Sequence, residues 1–497
     1  MSIPEDLEPL FHRVSDAVAS GGPAMGRRRF LTAMLAGAGV AATLPLISRL
    51  EAFAAPAIGA HDGILLHVTL AGGNDALNTL APVEDPLYRS LRPTLAHSLD
   101  PSVAPRLPGA NSLVLHPALV KLRDRYGRGD VAFVRGVGMK PANFSHFQSM
   151  ATWMQGWSGS PGPTGWLGRY LDGLPNAAQE PLYGVTLDSS VGLHLNGAKT
   201  RATAIHQKLG GFGTSSDSFE QRKVAAVRSM MTQSYSGLAA QYAHAARTML
   251  DLPGTLSAPN GNAALDVYRG DLPESGVERR MALCARLVNA DLGIRVLNVT
   301  HGSYDTHDYQ ANEHAARLSE LDNAIEAFFT HLEPKFASRV IIMIHSEFSR
   351  RPRENDSRGT DHGAAGLVMV IGAPVRGGIY GDQVRLDQLE NDNLKFAIDY
   401  RSVYATILED WLTTPSRPIL NAQFDKLPIL TPPGGGPGLV TTTPTTTTPT
   451  TPAPAASVPS MQPPPASGPR AGSSAANKWS SKRSWVGNRR KVGQPRR

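Results

Sequence analysis

One cysteine, Cys284, in 497 residues excludes an internal disulfide and a cysteine-rich zinc cage. The apolar stretch Ala33–Ile47 is short and carries several Ala and Gly, below the ~20 residues that a spanning helix needs. Acidic residues are missing from Thr431 to Arg497, where nine Lys and Arg stand alone, whereas residues 1–54 hold five basic and five acidic side chains. Taking the tail's nine from the formal +7 leaves −2 for residues 55–430. A folded part without a basic surplus excludes nucleic acid as its expected partner.

Three segments follow. Residues 1–54 read as an export region: Arg27-Arg28-Arg29 precede the apolar stretch, and Ala52-Phe53-Ala54 offers a small-x-small cleavage site. This resembles a twin-arginine signal, with the export machinery as partner and a periplasmic, extracellular or cell-surface bacterial location; a retained membrane anchor is the alternative. Residues 55–430 form the globular part, with a helical cover or insertion at about 215–290. From 431 the Thr/Pro tract and the basic end cannot build a core, so an extended, disordered tail is expected, either binding acidic cell-surface polymers or serving as a solvated linker.

The globular part is organised around Ile294–Gly381. Short Val/Ile-rich runs at Ile294–Val299, Val340–Ile344 and Leu367–Ile371 read as buried strands of a parallel sheet, covered by helices on both faces. Ligands in such sheets bind outside the carboxyl ends of the strands. There the sequence sets His301 to His307, then His345-Ser346-Glu347-Phe348-Ser349-Arg350, then Gly359-Thr360-Asp361-His362-Gly363. Oxygen and imidazole donors of this kind suit a divalent cation. A first strand, Gly63–Leu70, runs into Gly72-Gly73-Asn74-Asp75, which makes Asp75 either a metal ligand or a helix cap. Ser145, in Asn143-Phe144-Ser145-His146, opens a helix and is either a plain cap or a nucleophile beside the positive end of the helix dipole.

Taken together, Leu-Ala-Gly-Gly-Asn-Asp (70–75), Asn-Phe-Ser-His-Phe (143–147), Tyr-Asp-Thr-His (304–307), Ser-Glu-Phe-Ser-Arg (346–350), Gly-Thr-Asp-His-Gly (359–363) and Asp-Tyr-Arg-Ser-Val-Tyr (399–404) resemble the domain-of-unknown-function family 1501, over about residues 60–425. That family looks like a branch of the alkaline phosphatase and sulfatase superfamily. The resemblance implies a doubly wound, mostly parallel α/β sandwich and a two-metal site, of Zn, Mn, Mg or Ca, that cleaves phosphate or sulfate esters, on a small ester or an anionic polymer. It makes Ser145 the nucleophile and Asp75, Asp305, His307, Glu347, Asp361 and His362 the metal ligands. Asn74, Asn143, His146 and Arg350 become anion-binding candidates. Two departures stand out: Asp305 and His307 are two residues apart where four is usual, and Glu347 competes with Asp361 for one ligand position. A relaxed or single-metal site, or a binding protein that keeps the fold without the chemistry, is the alternative.

Overall fold

The structure is a computed structural model that describes residues 62–431 apart from 208–217, most of 236–270 and a few short gaps. The expected export region, the expected tail beyond Thr431 and most of the expected helical cover past Met231 lie outside the described residues. The strands are, in chain order, β1 (Ile64–Leu70), β2 (Leu80–Ala81), β3 (Arg106–Leu107), β4 (Ala110–Leu115), β5 (Val131–Gly138), β6 (Gly184–Thr186), β7 (Thr203–Ala204), β8 (Val296–His301), β9 (Val340–His345), β10 (Ser349–Glu354), β11 (Thr360–Gly363), β12 (Gly366–Ile371), β13 (Gly378–Tyr380) and β14 (Ile398–Asp399).

Nine of them form the central sheet in the order β13-β5-β12-β9-β1-β8-β6-β7, with β14 also on β5. β1 pairs in parallel with β8 and β9. Only β12 runs against its neighbours, antiparallel to both β5 and β9. This corrects the expectation that Leu367–Ile371 continues a parallel run. A parallel return needs a crossover, usually a helix, that carries the chain back to the other edge of the sheet. Between His345 and Gly366 the chain instead makes the β10–β11 hairpin, an excursion on the carboxyl edge, and re-enters the sheet from that same edge. The hairpin therefore delivers Asp361 and His362 to the edge where β1, β5, β8 and β9 end.

Both faces of the sheet are buried, which is why its strands need no polar alternation. On one face Ile64, Leu66 and Val68 of β1 join Val340, Ile342 and Ile344 of β9. The intervening Leu65, Ile341 and Met343 join a second core with Trp166, Tyr404 and Trp411 on the other face. The helix Gln310–His331 follows β8 and packs on the first core through the buried Leu318, Leu321, Ile325 and Phe328. Each such side chain contributes roughly 1.5–3 kcal/mol, enough to fix the helix and the loop before it. On the second face the expected helix at Ile398–Leu412 divides. Asp399 caps the helix Tyr400–Thr406 by accepting from Arg401 N, and a wider π-type turn follows at Ile407–Trp411. No helix among the described residues is long and apolar enough to cross a membrane.

Candidate metal centre

The loop after β1 is built for close approach. Gly72 and Gly73 adopt φ of +120° and +76°, and a Cβ on Gly72 would meet Asp305 N at 2.6 Å, while one on Gly73 would run into the Phe348 ring. Only glycine lets the β1, β8 and β9 loops converge this tightly. Gly72 N then donates to Glu347 Oε1 at 2.9 Å, and Asn74 N to Ser346 Oγ at 2.9 Å.

Into this corner come His146, Asp305 and His362, each offering a ligand atom within 4.8 Å of the other two. His146 Nε2 lies 3.3 Å from Asp305 Oδ2, and its Nδ1 lies 2.8 Å from Glu347 Oε1. His362 Nε2 is 3.0 Å from Asp305 Oδ1, and its Nδ1 lies 2.8 Å from the Phe144 carbonyl, one residue before Ser145. His307 Nε2 completes a triangle, 3.0 Å from both Asp305 Oδ1 and His362 Nε2. Asp361 stands further out, its Oδ1 3.6 Å from His307 Nδ1. Burial opposes the charge on Asp305, but hydrogen bonds from Arg350 and His362 outweigh it and lower its pKa to about 2. Asp305 thus stays a carboxylate over the physiological range.

The donor set fits a divalent cation on its own geometry. Zinc bonds of ~2.0–2.1 Å in a tetrahedron put neighbouring ligands ~3.3 Å apart, close to the 3.0 Å edges of the Asp305, His307 and His362 triangle. Imidazole nitrogens with a carboxylate also match the preferences of Zn²⁺ and similar ions.

Other sequence candidates sit elsewhere. Asp75 is fully buried, paired with Arg92 Nη1 at 2.6 Å, hydrogen-bonded by Gln310, and caps the next helix through Leu77 N and Asn78 N. Burial opposes its charge and Arg92 restores it, so its pKa is lowered. It does not join the cluster. Its neighbour Asn74 is committed to Thr79 and His314, and Asn143 to Ser145 N and Gln148. Arg350 is also buried and turned inward. It donates to the carbonyls of Gly72, Gly73, Tyr304 and Thr360 and, at 2.7 Å, to Asp305 Oδ1. Those bonds occupy its guanidinium, so its role here is to tie loops together rather than to clamp a substrate.

Ser145 is exposed, precedes the helix His146–Gln155, and makes no capping bond with its side chain. It directly precedes His146 in the chain and follows Phe144, whose carbonyl meets His362. Two contributors carried no signal in the sequence. Arg92 and Gln310 look like ordinary helix residues, yet Gln310 Oε1 accepts from Thr306 and Thr360 and fastens the Asp305 loop to the hairpin. Phe348 packs its ring at 4.8 Å from His146 and 4.5 Å from His362.

A family model described as protein of unknown function, DUF1501, matches residues 132–423, more than half of the chain. The chain belongs to that family. The match takes in the cluster residues His146, Asp305, His307, Glu347 and His362, and leaves out the β1 loop with Asp75. A search of curated proteins finds no match.

Proposed function

We propose that this DUF1501 member is a metal-dependent hydrolase of phosphate or sulfate esters, related in fold to the alkaline phosphatases and sulfatases, with a single-metal site. The observation that carries it is the convergence of His146, Asp305 and His362 at the carboxyl edge of the sheet, beside an exposed serine at a helix N-terminus. A divalent ion there would be held by those three and His307, and when bound would neutralise the ester oxygens and lower the pKa of the hydroxyl. Ser145 Oγ would bond to the phosphorus or sulfur as the bond to the alcohol oxygen breaks, the alcohol leaving with the serine proton; water would then cleave the seryl ester, releasing phosphate or sulfate and restoring the hydroxyl. Glu347 accepts from Gly72 N and lies against His146, so it fixes that ring's orientation. Arg350 offsets one negative charge on Asp305 and holds the loop that carries it. The Arg27-Arg28-Arg29 segment and the basic tail fit export and attachment to an acidic surface.

The test is metal analysis of the purified full chain together with a screen of aryl phosphate and aryl sulfate under several divalent ions. We expect about one ion per chain, lost in Asp305→Ala and His362→Ala, and hydrolysis that falls at least about a hundredfold in Ser145→Ala. Undiminished hydrolysis in Ser145→Ala removes that residue as nucleophile. Neither bound metal nor ester cleavage would leave a binding protein on the same fold.

A further inference from the structure

Three aromatic side chains stand out on the described surface: Phe147 is 89% exposed, Tyr309 70% and Phe144 36%. Each is within two residues of a member of the metal cluster or its hydrogen-bond partner. Phe147 follows His146, Tyr309 is two residues beyond His307, and the Phe144 carbonyl meets His362 Nδ1. Tyr309 is also held at φ +43°, a left-handed conformation that bulky residues avoid, with its N–H bonded to Ser357 O in the hairpin. A strained backbone that turns an aromatic ring into water adds nothing to folding, and such strain gathers at ligand-binding positions.

Resting on the hydrolase reading, we infer that the ester this site takes is carried on a saccharide, whose ring stacks on Phe147 and Tyr309 while its phosphate or sulfate reaches the His146, Asp305 and His362 cluster. A sugar ring has apolar C–H faces and polar edges. Open platforms suit it, because the face gains from the aromatic ring and the hydroxyls keep their water. An aryl ester instead gains most from an enclosed apolar pocket, and rings this exposed do not enclose one. Polar side chains that can meet hydroxyls are exposed next to the aromatics in the chain, Gln148 after Phe147 and Asp308 before Tyr309, and Asp361 is exposed with its Oδ1 3.6 Å from His307 Nδ1. The two aspartates also disfavour a densely charged polyanion at the rim, which leaves a ring with a single anionic group as the fitting occupant.

The test compares the full chain with Phe147→Ala and Tyr309→Ala on glucose 6-phosphate, glucosamine 6-sulfate and methyl phosphate. Stacking of this kind is worth about tenfold in affinity per ring. We expect each variant to raise KM for one of the sugar esters about tenfold more than for methyl phosphate, with kcat little changed, and Phe147→Tyr and Tyr309→Phe to recover the wild-type KM. Whichever sugar ester responds identifies phosphate or sulfate as the anion. Equal effects on the sugar esters and methyl phosphate overturn the proposal. If no ester is cleaved, calorimetric titration with the same two sugar esters decides it: binding weakened about tenfold by Tyr309→Ala supports the platform although the hydrolase reading has failed, and binding that is absent or unchanged by the variant overturns both. Both side chains are exposed, so thermal melts of the variants should match the parent.

Discussion

Acid should unfold this protein well above the carboxylate range, because its core holds histidines that stay neutral. Burial lowers the pKa of His67 and His116 from the ordinary 6.5 to about 4, and that of His314 to about 3. His194 and His345 are also pushed well below 6.5 by burial. The contacts explain why a proton is unwelcome. His345 Nε2 lies 3.0 Å from His67 Nε2, Trp153 stacks flat on His345, and the His194 ring packs 5.0 Å from that of His67. His314 packs between His116, Asn74 and the Asp75–Arg92 pair. Since the folded pKa values lie below the unfolded one, the unfolded chain takes up protons first as pH falls. Stability is therefore complete above about pH 6.5 and declines from there towards pH 4, where the folded histidines begin to protonate. At pH 5 each neutral histidine costs ~2 kcal/mol, since 1.5 pH units below the unfolded pKa correspond to about 1.36 kcal/mol per unit. His67, His116 and His314 alone then remove ~6 kcal/mol, a large part of the ~5–15 kcal/mol typical of a domain. Urea unfolding followed by circular dichroism at pH 7.5, 6.5, 5.5 and 5.0, with chelator present so that metal release plays no part, measures this directly. A free energy of unfolding constant to within ~1 kcal/mol between pH 7.5 and 5 would refute the argument. His67→Gln should flatten the slope by about 1.4 kcal/mol per pH unit, whatever it does to absolute stability.

Two substitutions separate architecture from chemistry. Arg350→Met strips donors from four carbonyls and from Asp305, and should cost roughly 3–5 kcal/mol in denaturant unfolding as well as weakening metal binding; a variant as stable as the parent would show that the loops hold without the guanidinium. Asp75→Asn leaves Arg92 buried without its counter-charge, and should cost a similar ~3–5 kcal/mol while metal stoichiometry stays the same. Loss of metal from a protein of unchanged stability would instead return Asp75 to the ligand set.

The strands and their edge were legible because apolar runs of this length, each ending in polar residues, leave few alternatives once the sheet is covered on both faces. The loops' chemistry was legible only in part. Asp305, His307 and His362 stand in the sequence as exposed ligand types after strand ends, and the structure gathers them. Asp75 stands there in the same way, and the structure turns it inward, because Arg92, seventeen residues on, supplies a buried partner whose burial nothing local announces. Asp75 thus took the helix-capping alternative that its sequence context already allowed. His146 shows the reverse case. It reads as part of a helix start, yet β12 runs backwards, so the hairpin folds over the end of β5 and brings His362 against it. The direction of one strand decides which histidine faces Asp305, and that direction depends on a twenty-residue excursion whose only local signs are the turn-forming Asn355 and Gly359. Sequence periodicity marks each element but not the edge from which it enters the sheet, and in this protein the candidate site is a consequence of that entry.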